Sequence, residues 1–86
     1  MKYLEAINYG NKLLKLKNIH TYHLDTELIL SNVLNSSREK ILINLNNRIN
    51  KKNFLKFKKL ISRRKKKEPI AHILKIKEFW RYNFRI

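Results

Sequence analysis

No cysteine occurs in the 86 residues, which removes disulfides, thiol nucleophiles and every thiolate metal site. Glycine and proline occur once each, as Gly10 and Pro69. Turn signals are therefore scarce, and a glycine-rich loop that cradles phosphate is impossible. No run of roughly 18 apolar residues exists to span a membrane. The opening Met1-Lys2-Tyr3-Leu4-Glu5 lacks the apolar core and small-residue cleavage site of a signal peptide. A reducing, cytoplasmic setting with no membrane contact is the expectation. Acidic residues are few as well: six Asp and Glu stand against 21 Lys and Arg, a net charge of +15. Two explanations of that excess stand side by side. The chain holds 15 Lys, 11 Asn and 11 Ile, the mix that drift towards A/T-rich codons produces. Equally, charge at this density marks a surface for nucleic acid or an acidic protein.

What is present is helical periodicity. A hydrophobic share of 43% suffices for one modest core in one domain, expected to be monomeric. The spacing predicts an all-α bundle of about five helices. The first runs from Lys2 to Lys17, with Tyr3, Leu4, Ile7, Gly10 and Leu14 on one arc. Gly10 on that arc invites close approach by a neighbouring helix, and Asn18 suits a left-handed stop. The second, Leu24 to Leu34, is apolar almost all round and so belongs at the centre, with Asp25 and Glu27 in its first turn and Asn35 as its stop. Ser36-Ser37-Arg38-Glu39 fits a capping box for a short third helix. Asn44 to Asn50 reads as a polar turn, with Asn50 the cap of a fourth helix from Lys51 to Lys66.

That fourth helix places Phe54, Phe57, Leu60 and Ile61 on its apolar arc and Lys52, Lys56, Lys59, Arg63 and Lys66 opposite. Arg64 turns towards the apolar side, where a guanidinium needs a carboxylate; Asp25, Glu27 and Glu68 are the candidates. Pro69 suits the first position of a short fifth helix, Ile70 to Leu74. From Lys77 the pattern becomes aromatic and alternating, with Phe79, Trp80, Tyr82, Phe84 and Ile86, as in a strand with nothing left to pair with. The division expected is a helical domain over 1–76 and an extended linker over 77–86, as though the chain stopped at a domain boundary. The tail aromatics are expected to pack at that junction.

Chemistry-bearing constellations are sparse. His20 and His23 sit at a helix entrance and His72 lies far away, with no third ligand at a recognised spacing, so no metal site is expected. Ser31, Ser36, Ser37 and Ser62 have no acid–base context. The basic stripe of the fourth helix with the Arg63-to-Lys67 run is the best binding feature. It suits a phosphate backbone or an acidic protein surface. Its competing explanation is a solvated face whose C-terminal charges suit the helix dipole.

The block Arg63-Arg64-Lys65-Lys66-Lys67-Glu68-Pro69-Ile70-Ala71-His72-Ile73-Leu74 with Glu78-Phe79-Trp80 resembles the end of the N-terminal domain of HemK/PrmC-type release factor glutamine methyltransferases. That family has R-R-x-x-G-E-P-x-A-[YH]-[IL]-x-G there, followed by E-F-[WY]. Leu24-Asp25-Thr26-Glu27-Leu28-Ile29-Leu30 resembles its D-A-E-x-L-L helix, and Ser37-Arg38 with Leu42 fits the next. The resemblance spans essentially the whole chain and is specific in the Arg63–Trp80 block. Lys67 and Lys75 stand where the family has glycine, which implies strain wherever the backbone needs positive φ. A related family that methylates a ribosomal-protein glutamine lacks the E-P and E-F-W combination.

The resemblance implies a helical substrate-recognition domain joined to an S-adenosylmethionine-dependent domain that carries the glycine loop and an N-P-P-Y motif. Neither occurs in this sequence, so no catalytic residue and no cofactor is assigned to it, and it is expected to be inactive alone. The implied partner is a class I release factor, whose Gly-Gly-Gln glutamine the parent enzyme would methylate; the parent's own catalytic domain is a second. Candidate contact residues are Lys52, Lys56, Lys59, Arg63, Lys66, Glu68, Pro69 and His72. Structural roles fall to Arg64, Asp25, Glu27, Phe79 and Trp80. Two other readings stay open: a stand-alone basic module with RNA or ribosome contact, and a truncated gene remnant.

Overall fold

A computed structural model describes residues 1–74. The predicted tail from Lys77, the boundary after Ile76, Lys75 and the aromatics Phe79 and Trp80 lie outside the described residues. Four helices, α1 (Tyr3–Leu16), α2 (Tyr22–Leu34), α3 (Arg38–Leu42) and α4 (Lys51–Lys65), are followed by a short α5 over 70–74. The described residues form an all-α bundle whose one β feature is an isolated antiparallel bridge between Lys2 and Arg48. Among them no helix is long and apolar enough to cross a membrane.

α2 is the central element, packed on α1, α3 and α4. It begins a half-turn before the predicted Leu24, and its all-round apolar pattern is only partly buried. Ile29, Leu30 and Val33 are inside, but Leu24 is 42% exposed, and the buried set is completed by Asp25, Thr26 and Asn32. The α1 arc is likewise offset. Ala6 joins Ile7, Gly10 and Leu14 in the core, while Leu4 points out at 42% exposure.

Gly10 sits where α1 crosses both α2 and α4. A Cβ there would come within 2.8 Å of Thr26 Cγ2 and 3.1 Å of Ile61 Cδ1 and Phe57 Cζ. The helix thus accepts the roughly 1 kcal/mol propensity loss of glycine in exchange for close packing. From α4, Phe57 and Ile61 are fully buried. Phe54 is half-buried, with its ring 5.5 Å from that of Tyr9 in an edge-to-face contact.

Helix ends follow local chemistry. Asn18 (φ 60°) and Asn35 (φ 59°) take the left-handed conformation that stops α1 and α2. Asn50 Oδ1 accepts the Asn53 N–H at 2.7 Å to open α4. At α3 the capping residue is Ser37, whose Oγ accepts the Lys40 N–H at 3.2 Å, and not the Ser36 of the predicted box. Ser36 still belongs to the closure of α2, its N–H bonded to Ser31 O at 3.1 Å.

The expected polar turn between α3 and α4 does more than turn. Its carbonyls at Asn47 and Leu45 accept the Tyr3 and Leu4 N–H groups at 2.8 and 3.1 Å, and the Ile49 N–H donates to Met1 O at 2.7 Å. Ile49 is buried. The loop therefore caps α1 with backbone while the Lys2 N–H is taken by Glu5 Oε1 at 2.7 Å.

Candidate partner-docking site

The basic residues of the second half divide into two groups. At the C-terminal end of α4, Arg63, Arg64 and Lys67 are tied down, while Lys66 is exposed. Arg64 donates through Nε to Asp25 Oδ2 at 2.8 Å and through Nη1 to the Glu68 carbonyl at 2.8 Å. Asp25 is 2% exposed and also receives the Thr21 hydroxyl at 2.8 Å. Of the three carboxylates available to Arg64, Asp25 is thus the partner, joining α2 to α4 across 39 residues. Glu27 pairs with Arg38 of α3 instead, at 2.8 Å.

The Glu68 carboxylate is bound by both Nε and Nη2 of Arg63, and His72 Nδ1 stands 2.7 Å from its Oε2. The hydrogen bond from Arg63 is the main reason that Glu68 titrates below the ordinary carboxylate range. Partial burial opposes the shift, and the charges of Arg63 and His72 add to it. Reciprocally, Glu68 holds the Arg63 guanidinium above its ordinary value. Lys67 has φ 74°, as the glycine of the resembled motif implied, and its Nζ donates to the Lys17 carbonyl at 2.8 Å, at the C-terminal end of α1.

Upstream, Lys51, Lys52, Lys56, Lys58 and Lys59 are exposed. Among the described residues the ion pairs use Arg38, Arg63, Arg64 and His72, and none uses a lysine. Lys58 instead lies 5.8 Å from the Phe54 ring centroid. Of the predicted contact residues, the structure leaves Lys52, Lys56, Lys59, Lys66, Pro69 and His72 exposed, with Glu68 half-buried. Arg63, expected on the solvent stripe, is half-buried, because Glu68 across the α4–α5 turn draws it in. Spacing alone overlooked Leu55, which stands out from α4 at 54% exposure.

Among the described residues no group of three or more His, Cys, Asp or Glu could hold a metal. His23 Nδ1 lies 3.3 Å from Asn11 Nδ2, and its ring is 4.1 Å from that of Tyr22. The described residues also do not fit S-adenosylmethionine. The single glycine is sealed in a helix crossing, and no glycine-rich turn is left to approach a nucleoside.

The family model of the PrmC N-terminal domain matches residues 5–74. A bifunctional methyltransferase of Rickettsia felis is 40% identical over 75 residues, 87% of this chain and 14% of the relative. A release factor glutamine methyltransferase of Clostridium botulinum is 39% identical over 77 residues, 90% and 27% of the two chains. One from Buchnera aphidicola subsp. Baizongia pistaciae is 33% identical over 86 residues, the whole of this chain and 31% of the relative. The chain thus spans between 14% and 31% of the length of these relatives. No solved structure matches it.

Proposed function

Because the chain belongs to the family of PrmC N-terminal domains, we propose that it is the helical recognition domain of a release factor glutamine methyltransferase, binding a class I release factor. The match of residues 5–74 to that domain, with relatives named as release factor glutamine methyltransferases, carries this reading. Catalysis would belong to a separate domain. There S-adenosylmethionine, when bound, supplies the methyl group for the glutamine side-chain amide of the Gly-Gly-Gln motif. The residues described here hold the substrate protein so that its glutamine reaches that distant site. This is binding energy from a remote contact used for positioning.

The arrangement suits the role. Arginines that hold the fold are paired internally, while Lys51, Lys52, Lys56, Lys58 and Lys59 of α4 face solvent, where they can steer an acidic protein. Isothermal titration of the 86-residue chain with a class I release factor at low salt tests the reading, with saturable binding as the expected result. Absence of binding at low salt would overturn it. Preferential binding to RNA, with affinity falling steeply and log-linearly in salt, would favour the RNA module instead.

A further inference from the structure

All the exposed positions of α4 lie in its first nine residues: Lys51, Lys52, Leu55, Lys56, Lys58 and Lys59. On a helix, a residue's surface neighbours are those three and four positions away. For Leu55 these are Lys51, Lys52, Lys58 and Lys59, so every one of its four neighbours is a lysine. The other large apolar side chains exposed in the described helices, Leu4, Leu16, Leu24 and Leu42, lie in first or last turns. Leu55 stands in the second turn of a 15-residue helix, on a patch about 12 Å long at 1.5 Å per residue.

Drift in codon usage does not sort residues this way. The exposed positions just before α4 include Ile43, Asn46, Asn47 and Asn50, with Arg48 the one cation, and α2 carries no Lys or Arg at all. Lysines are exposed on α1 and α3 as well (Lys12, Lys15, Lys40), but among the exposed leucines of the described helices only Leu55 has four of them as neighbours.

We infer that Leu55 and its four lysines are the docking knob for the release factor, received by an apolar depression rimmed with Asp and Glu on that protein. The inference rests on the recognition role proposed above and names the surface that performs it. Lysine charge supplies long-range attraction, and the leucine supplies short-range burial that lysine alone lacks. A phosphate backbone offers charge but no apolar socket. Nor does the patch present a free aromatic for a nucleobase, because Phe54 lies against Tyr9 and under Lys58.

The test is titration of the 86-residue chain with a class I release factor across roughly 50 to 300 mM salt. Leu55→Ala is expected to weaken binding about fivefold with the salt slope unchanged. Leu55→Glu should fold at least as well, since lysines four residues away on each side favour it, yet lose more affinity by repelling the acidic rim. Gln at positions 51, 52, 58 and 59 together should weaken low-salt binding and flatten its salt dependence. Helical circular dichroism should stay unchanged in all three.

Wild-type binding that neither Leu55 variant alters would overturn the knob while leaving the recognition role standing. No wild-type binding would overturn both. Tighter binding to a short RNA duplex, lost with the lysines and indifferent to Leu55, would show a phosphate face in its place.

Discussion

The two ends of α4 carry charge of the same sign and use it differently. From Arg63 onward three cations are locked, Arg63 to Glu68, Arg64 to buried Asp25 and Lys67 to the carbonyl that ends α1, while Lys66 stays exposed. From Lys51 to Lys59 they face solvent, and none of the ion pairs among the described residues uses them. The densest basic run is therefore fastening through Arg63, Arg64 and Lys67, and the looser stripe upstream is surface. Arginine does the fastening because a planar guanidinium can serve two acceptors at once, as Arg64 does with Asp25 and the Glu68 carbonyl. Lysine, a strongly hydrated point charge, stays in water along the upstream stripe.

The sharpest way to break the comparison is to remove one cation from each end. Arg64→Met leaves Asp25 buried without its partner and should cost about 3 kcal/mol, much of what a domain this small possesses. Lys56→Gln, on the exposed stripe, should fall within about 0.5 kcal/mol of wild type. Urea unfolding of both variants measures the contrast, and equal midpoints would erase the distinction between the two ends.

A smaller effect is expected at the start of the free end. Asn50→Ala removes the side chain that accepts the Asn53 N–H and should cost about 1 kcal/mol in the same urea assay. The loss should fray the turn that bears Lys51 and Lys52 and leave the Arg64 pair intact. Acid acts on the opposite end. Glu68 titrates below the ordinary carboxylate value when folded, so its contribution is complete above that ordinary value and disappears as pH falls through the depressed one. Glu68→Gln should therefore flatten the acid limb of a thermal-stability profile relative to wild type and leave the neutral-to-alkaline limb parallel. An unchanged acid limb would mean that the Arg63 pair does not stabilise the fold.

Much of this was legible from residues. Asn18, Asn35 and Asn50 mark helix ends because their side chains or left-handed tolerance act locally, within three residues. Arg64 could be assigned a buried carboxylate partner because helical spacing alone turned it inward. What could not be read depended on distant backbone. The carbonyls of Asn47 and Leu45 that cap α1 have no side-chain signature. Helical spacing puts Arg63 on the solvent side, and only the irregular turn after α4 brings Glu68, five residues on, back to it. Leu55 escapes helical spacing for the opposite reason. An apolar residue among lysines breaks a pattern, and periodicity registers only what repeats.

Lys67 is the finest point of the comparison, a lysine at the locked end. Its positive φ is disfavoured for any residue with a Cβ, and its ammonium group donates to the Lys17 carbonyl. Two substitutions separate those effects. Lys67→Ala keeps the strained backbone and loses the bond, so it should be destabilised by about 0.5 kcal/mol, the value of one exposed hydrogen bond. Lys67→Gly loses the bond as well but relieves the strain, and should exceed the alanine variant by up to about 1 kcal/mol. The glycine variant would then match or slightly exceed wild type. If alanine equals wild type in urea unfolding, the Lys17 bond contributes nothing, and this lysine belongs with the free ones upstream. If alanine falls and glycine recovers, a lysine has replaced a glycine by anchoring the turn it strains.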